Sequence, residues 1–122
     1  MNNNIFGFEN LAAYQRAMDL VDKVYDLMKG FPPEEKFALC DQLRRAVVSV
    51  PSNIAEGLGR ISNKEQVRFI EISYGSLMET YCQLSIAKRR HYISEETFRN
   101  VAESVESIAR PLSGLRKTLV EG

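Results

Sequence analysis

Few side chains in this 122-residue sequence could do chemistry, and their spacing argues against most reactions. There is one histidine, His91. A helical di-iron site needs two Glu-x-x-His pairs, which one histidine cannot supply. His91 follows Lys88-Arg89-Arg90, and cations in such a place complement the negative end of a helix dipole. A triad built on Ser49, Ser52 or Ser73 would draw on the same histidine, and no Gly-x-Ser-x-Gly elbow is present. Gly57-Leu58-Gly59-Arg60 is half of a phosphate-binding loop, but it follows a helical pattern rather than a strand. Cys40 and Cys82 lie far apart in no metal-binding spacing, and read as reduced thiols used as small hydrophobes. The residues therefore predict no catalytic site, no metal, no cofactor and no small-molecule substrate.

Two polar constellations remain. Arg45, Ser49, Ser52 or Asn53, Glu56 and Arg60 recur every three or four residues, so one helical face carries them beside an apolar seam. Buried charges need partners. The expected role is a structural network of Arg44, Arg45, Asn53, Glu56 and Arg60, with Glu65 and Glu79 on the next helix as acceptors. The competing role is a ligand or RNA surface. In the structural case, truncating Glu56 would cost about 2–4 kcal/mol. The second constellation is Lys88, Arg89 and Arg90, a candidate RNA contact or simply a solvated helix end.

The elements that must position these groups follow from apolar periodicity. A polar then aromatic start (Ile5, Phe6, Phe8) predicts a short docking arm, with Asn10 as N-cap of the first helix. Leu11, Tyr14, Met18, Val21, Tyr25 and Met28 form one seam of that helix; Ala17, Leu20, Val24 and Leu27 form another beside it. Two seams make a face broader than one neighbour covers. Either the helix is central, or Ala17, Leu20, Val24 and Leu27 meet a sister copy. Gly30 and Phe31-Pro32-Pro33 make a turn, and Pro33 suits the first position of a second helix with Phe37, Cys40, Leu43, Val47, Val50 and Ile54 in the core. Pro51 predicts a kink without a break. Gly57 and Gly59 supply backbone freedom at its exit. Ser62-Asn63-Lys64-Glu65 reads as a capping box for the third helix, where Gly75 predicts close approach of another helix. Ser94 caps the fourth, whose heptad passes through Pro111 in phase. The helices span about 10–29, 33–58, 63–90 and 95–119 of a single domain, 1–122. The fold class is all-α, an up-down-up-down four-helix bundle.

Composition narrows the partners. Sixteen basic residues cancel sixteen acidic ones, so only a local patch could attract nucleic acid or an anionic membrane. By segment the balance is −1 over 1–30 (three basic, four acidic), 0 over 31–60 (four and four), +2 over 61–93 (five and three) and −1 over 94–122 (four and five). No signal-peptide pattern opens the sequence and no run approaches the roughly 20 apolar residues of a membrane span, which predicts a cytoplasmic protein.

Three segments carry a resemblance: Phe31-Pro32-x-x-Glu35; Gln42-Leu43-Arg44-Arg45-Ala46; and Ser49-Val50-Pro51-Ser52-Asn53-Ile54-Ala55-Glu56-Gly57-x-Gly59-Arg60. Phe69 and Gly75-Ser76-Leu77-x-Glu79 extend it. From Phe8 to about Ile93 the chain resembles the four helix bundle protein family, also called the 23S rRNA intervening-sequence protein family. It departs at Tyr14, where many members have tryptophan, at Ser73, commonly alanine, and at Thr80-Tyr81, usually leucine-glutamate. The resemblance implies an antiparallel left-handed bundle without catalytic activity. It also implies similarity to the pentameric accessory proteins of diversity-generating retroelements, basic barrels that bind RNA and a reverse transcriptase. The expected function is a non-enzymatic homo-oligomeric scaffold, pentameric by resemblance, with an RNA or ribonucleoprotein partner. The alternative is a protein-only adaptor ring without nucleic-acid contact; an enzyme with a pocket between helices comes third.

Overall fold

A computed structural model describes residues 4–122; residues 1–3 of the expected 1–122 domain lie outside the described residues. Four helices follow one another: α1 (Ala12–Met28), α2 (Leu39–Leu58), α3 (Asn63–Arg89) and α4 (Glu95–Glu121), with short 3-10 turns at Gly7–Asn10 and Pro33–Glu35. No strand occurs among the described residues. Each helix packs on two neighbours, in the cyclic order α1–α2–α3–α4–α1, with α2–α3 the most extensive contact and the diagonal pairs further apart.

Contact register sets the directions. Ser49 meets Ser76 while Gly57, further along α2, meets Phe69, earlier on α3. Lys88 pairs with Glu95 while Glu71 pairs with Arg116, so α3 and α4 are also antiparallel. Arg16 reaches Ser107 and Lys23 reaches Ser104, giving the same relation between α1 and α4. The result is an all-α antiparallel four-helix bundle around one apolar cluster, in which Leu20, Leu43, Val47, Ile54, Leu77, Leu84 and Ile108 are wholly buried. Pro51 and Pro111 both sit inside unbroken helices, as the in-phase seams predict.

Several local expectations are corrected. On α1 the inward seam is Ala13, Ala17, Leu20 and Val24, all buried within the single chain, with Leu27 packed partly against them. Alanines let α1 approach its neighbours closely, so the bulkier seam tips outward. Tyr14, Val21 and Met28 are half-buried, while Met18 and Tyr25 stay 45% and 40% exposed. Ala17, Leu20 and Val24 therefore cannot be the surface that meets a sister copy. Leu11, not Asn10, is the N-cap residue of α1. Of the arm, Phe8 docks edge-on against Tyr14 at 5.0 Å between ring centres, whereas Ile5 and Phe6 remain exposed.

The second helix begins six residues later than its phase suggests. Pro33 opens a 3-10 turn, and Ala38 (φ −120°, ψ −102°) interrupts the helical path before Leu39. Glu35 then caps α2, its Oε1 accepting the Leu39 N–H at 3.3 Å. Phe37, expected in the core, is 85% exposed. At the α2–α3 corner the need for glycine is spatial. Gly57 is helical, and a Cβ there would stand 2.8 Å from Phe69 Cβ and 3.3 Å from the Gln66 carbonyl. Gly59 has an ordinary φ of −85°. Gly75 admits no neighbour: nothing lies within 4 Å of where its Cβ would be. Ser62 and Ser94 do cap α3 and α4, accepting the N–H groups of Glu65 and Thr97.

Candidate functional site

The polar stripe on α2 comes apart into two unlike sets. Its charges stay on their own helix. Asp41 pairs with both Arg44 and Arg45 at 3.2 Å, and Arg60 pairs with Glu56 at 3.4 Å. Glu65 pairs with Arg68 on α3, and Glu79 stands exposed, in no ion pair among the described residues. None of the arginines reaches Glu65 or Glu79, so the expected α2–α3 ion network is replaced by surface i,i+3 and i,i+4 pairs. Long flexible side chains meet a partner one turn away at less entropic cost than one on another helix. Glu56 is more than half exposed, which removes the reason for a large truncation cost.

Neutral groups join the two helices instead. Ser49 Oγ and Ser76 Oγ lie 2.8 Å apart, and the Asn53 amide donates to both the hydroxyl and the carbonyl of Ser49. One turn on, the wholly buried Ser73 donates to the Val50 carbonyl at 2.8 Å, next to Pro51. Of the expected network only Asn53 takes part. Small hydroxyls at i,i+3 (Ser73, Ser76) facing Ser49 and Asn53 at i,i+4 were the available sequence signal, outweighed by the charges beside them. Arg60 finds its inter-helix partner in a ring, its guanidinium 4.7 Å from the centre of Phe69, while Gln66 donates to the Arg60 carbonyl.

The three cations at the end of α3 are also unequal. Lys88 is committed, 3.5 Å from Glu95 and 4.7 Å above the Phe98 ring. Arg89 and Arg90 are exposed. His91 follows with φ +63°, the only left-handed non-glycine among the described residues. It stops the helix: the His91 N–H donates to Lys88 and the Tyr92 N–H to Ala87, the paired bonds of a Schellman ending in which glycine is usual at this place. Tyr92, thus turned inward, packs on Phe31 and donates from its hydroxyl to Glu35 Oε2 at 2.7 Å. That bond to Glu35 raises the Tyr92 hydroxyl above its ordinary pKa, with Arg90 pulling the other way. Phe31 and Glu35 are two residues of the first resemblance segment, and here they share one partner.

The remaining reactive groups are dispersed. Burial raises the Cys40 thiol above its usual value, with Arg44 opposing, and Cys82 is exposed elsewhere on α3. No group of three His, Cys, Asp or Glu side chains among the described residues could hold a metal ion. No helix is long and apolar enough to cross a membrane.

Two of the shallow surface grooves have strongly apolar linings. One runs between α1 and α2, with Tyr25, Phe31 and Pro32 in its floor and Lys29, Lys36 and Arg44 around it. Met18, a heptad before Tyr25, and Val48, one turn beyond Arg44, extend its exposed apolar strip. The other lies between α3 and α4: Met78 and Tyr81 face Ala102, Val105 and Ala109, beside Arg99, Glu103 and Glu106. In the cyclic order these grooves occupy opposite sides of the bundle.

Residues 9–114 match the family profile described as 23S rRNA-intervening sequence protein. A crystal structure of a protein of unknown function from the S23 ribosomal protein family of Bacteroides thetaiotaomicron superposes with a TM-score of 0.79 at 22% identity, over 86% of this chain and 98% of that one. At that identity the likeness speaks for the fold. No functionally curated protein matches the sequence.

Proposed function

The chain belongs to the 23S rRNA-intervening sequence protein family, and from that premise we propose a non-enzymatic, homo-oligomeric scaffold in the cytoplasm with RNA or a ribonucleoprotein as its partner. The observation that carries the reading is the pair of apolar strips on opposite sides of a bundle whose core is otherwise closed. Met18, Tyr25 and Val48 are 38–45% exposed on one side, Met78 and Tyr81 39–41% on the other. Large side chains left half-open in rows, rather than singly, mark contacts. A standard interface covers about 800 Å² per partner, so one on each side would bury about a fifth of the 7616 Å² surface. The family resemblance supports five copies.

Assembly also bears on RNA. At the end of α3 one chain offers Arg89 and Arg90, both exposed and the latter bonded to the Tyr92 hydroxyl, a thin footprint alone. Cyclic symmetry would repeat that pair in every copy on one rim of the ring. The exact cancellation of sixteen basic against sixteen acidic residues favours the second reading, a ring that binds protein alone. Light scattering after gel filtration tests the scaffold: a mass that is a multiple of 13.9 kDa is expected, and a monomer overturns it. A gel shift with a structured RNA at low salt, weakened by Arg89→Ala/Arg90→Ala and by added salt, tests the partner. No shift at low salt leaves the protein-only ring.

A further inference from the structure

We infer that copies of this chain associate head to tail, the basic α1–α2 groove of one receiving the acidic α3–α4 groove of the next. This rests on the self-association proposed above and adds which surfaces meet and with what symmetry. Each groove has an apolar floor, so each gains by being covered. Their charges differ in sign. The α1–α2 groove is lined by Lys29, Lys36 and Arg44 and by no acid, whereas the α3–α4 groove is lined by Glu103 and Glu106 against Arg99 alone, three positive against a net of one negative. A third groove, between α1 and α4, is balanced, Arg16 and Lys23 against Asp19 and Asp22. Asp26 and Asp41 pair with Lys29 and Arg44 as i,i+3 contacts within one stretch of chain, the first exposed and exchanging partners at little cost, the second half-buried. Lys36, Glu103 and Glu106 are in no ion pair among the described residues.

The arrangement decides the symmetry. A two-fold dimer buries one patch against itself, which here sets cations against cations or carboxylates against carboxylates. Joining the two unlike grooves satisfies both floors and both charges. Because they lie on opposite sides of the bundle, every copy added leaves one groove of each kind open, until a ring closes.

Two charge-reversed variants test this: Lys36→Glu/Arg44→Glu on the basic groove and Glu103→Lys/Glu106→Lys on the acidic one. Circular dichroism checks folding and light scattering gives mass. Each variant alone should fall to 13.9 kDa. Mixed in equal amounts they should reassemble beyond a dimer with the two variants alternating, because the intact basic groove of one takes the intact acidic groove of the other and the two reversed grooves are again opposite in charge. All four substitutions in one chain should restore the wild-type mass. Should a reversed chain not fold, Lys36→Gln/Arg44→Gln and Glu103→Gln/Glu106→Gln should each weaken assembly and recover it in no mixture larger than a dimer. Wild-type mass in either variant overturns the pairing, as does disruption by one variant only, the mark of a two-fold interface. A mixture that stays monomeric also overturns it. A wild-type chain that is itself monomeric overturns self-association and this inference together, whereas unaffected variants of an oligomeric wild type overturn only the choice of grooves.

Discussion

Replacing His91 by glycine should stabilise the bundle. His91 holds φ +63°, where an L side chain crowds its own carbonyl at a cost of about 1–2 kcal/mol. Glycine escapes that crowding, but loses about 0.5–1 kcal/mol in the greater freedom of its unfolded chain. The net gain is about 0.5–1 kcal/mol, since both helix-ending bonds, to Lys88 and Ala87, run from backbone N–H groups that glycine retains. In a domain of this size that is a rise in Tm of roughly 2–6 °C. Thermal unfolding followed by circular dichroism, with urea melts to confirm an unchanged slope, reads the effect. His91→Ala is the control: it keeps the Cβ and loses the imidazole, so it should be neutral or slightly destabilising. A glycine variant with an unchanged or lower Tm would refute the argument. It would mean either that the imidazole makes a compensating contact or that the helix ends otherwise in solution.

The other consequences concern what joins the helices. Glu56→Ala should cost about 0.3–0.5 kcal/mol, the usual worth of an exposed i,i+4 pair, while Ser73→Ala, which deletes a buried hydrogen bond between α2 and α3, should cost about 0.5–1.5 kcal/mol; urea melts giving the reverse order would restore the charged stripe as the tie. Tyr92→Phe should lower stability near neutral pH by deleting the bond to Glu35. Because the folded hydroxyl titrates above its ordinary value, this contribution is complete below the unfolded pKa near 10 and is lost as pH rises through the folded one. Wild type and Tyr92→Phe should therefore converge in alkaline melts, and a gap that widens with pH would contradict the assignment.

How far the sequence reached depended on what kind of fact was asked of it. The seam of α4, from Phe98 through Leu112, is unambiguous because only one face of that helix is apolar, and the structure buries it as spaced. On α1 both seams are apolar, and spacing alone does not say how many neighbours a helix has. The alanines of the inner seam, which permit close packing, were the discriminating residues. The start of α2 was hidden because phase continues backwards through Phe37, while the actual boundary depends on where Glu35 can cap and how the chain turns above Tyr92. On the α2 stripe, charge drew attention from the hydroxyls. Arginine and glutamate one turn apart satisfy each other locally, so their pattern carries little tertiary information. Ser49, Ser73 and Ser76 can bond either a carbonyl of their own helix, as Ser85 and Ser107 do, or a closely packed neighbour, and spacing alone does not say which. The grooves were not legible at all, since each is composed of residues from two helices whose register only the fold fixes.

Glu35 holds the Leu39 amide with one oxygen and the Tyr92 hydroxyl with the other, so a single carboxylate clasps the first and last inter-helix connections at one pole of the molecule. At the opposite pole the single α2–α3 connection is tied to its own flanking helix, through Gln66 and Phe69 on Arg60, and Ile61 stands there wholly exposed. Thermal breathing is then lopsided: the rods splay first around Ile61, and hydrogen exchange and protease nicking start there while the fastened pole holds.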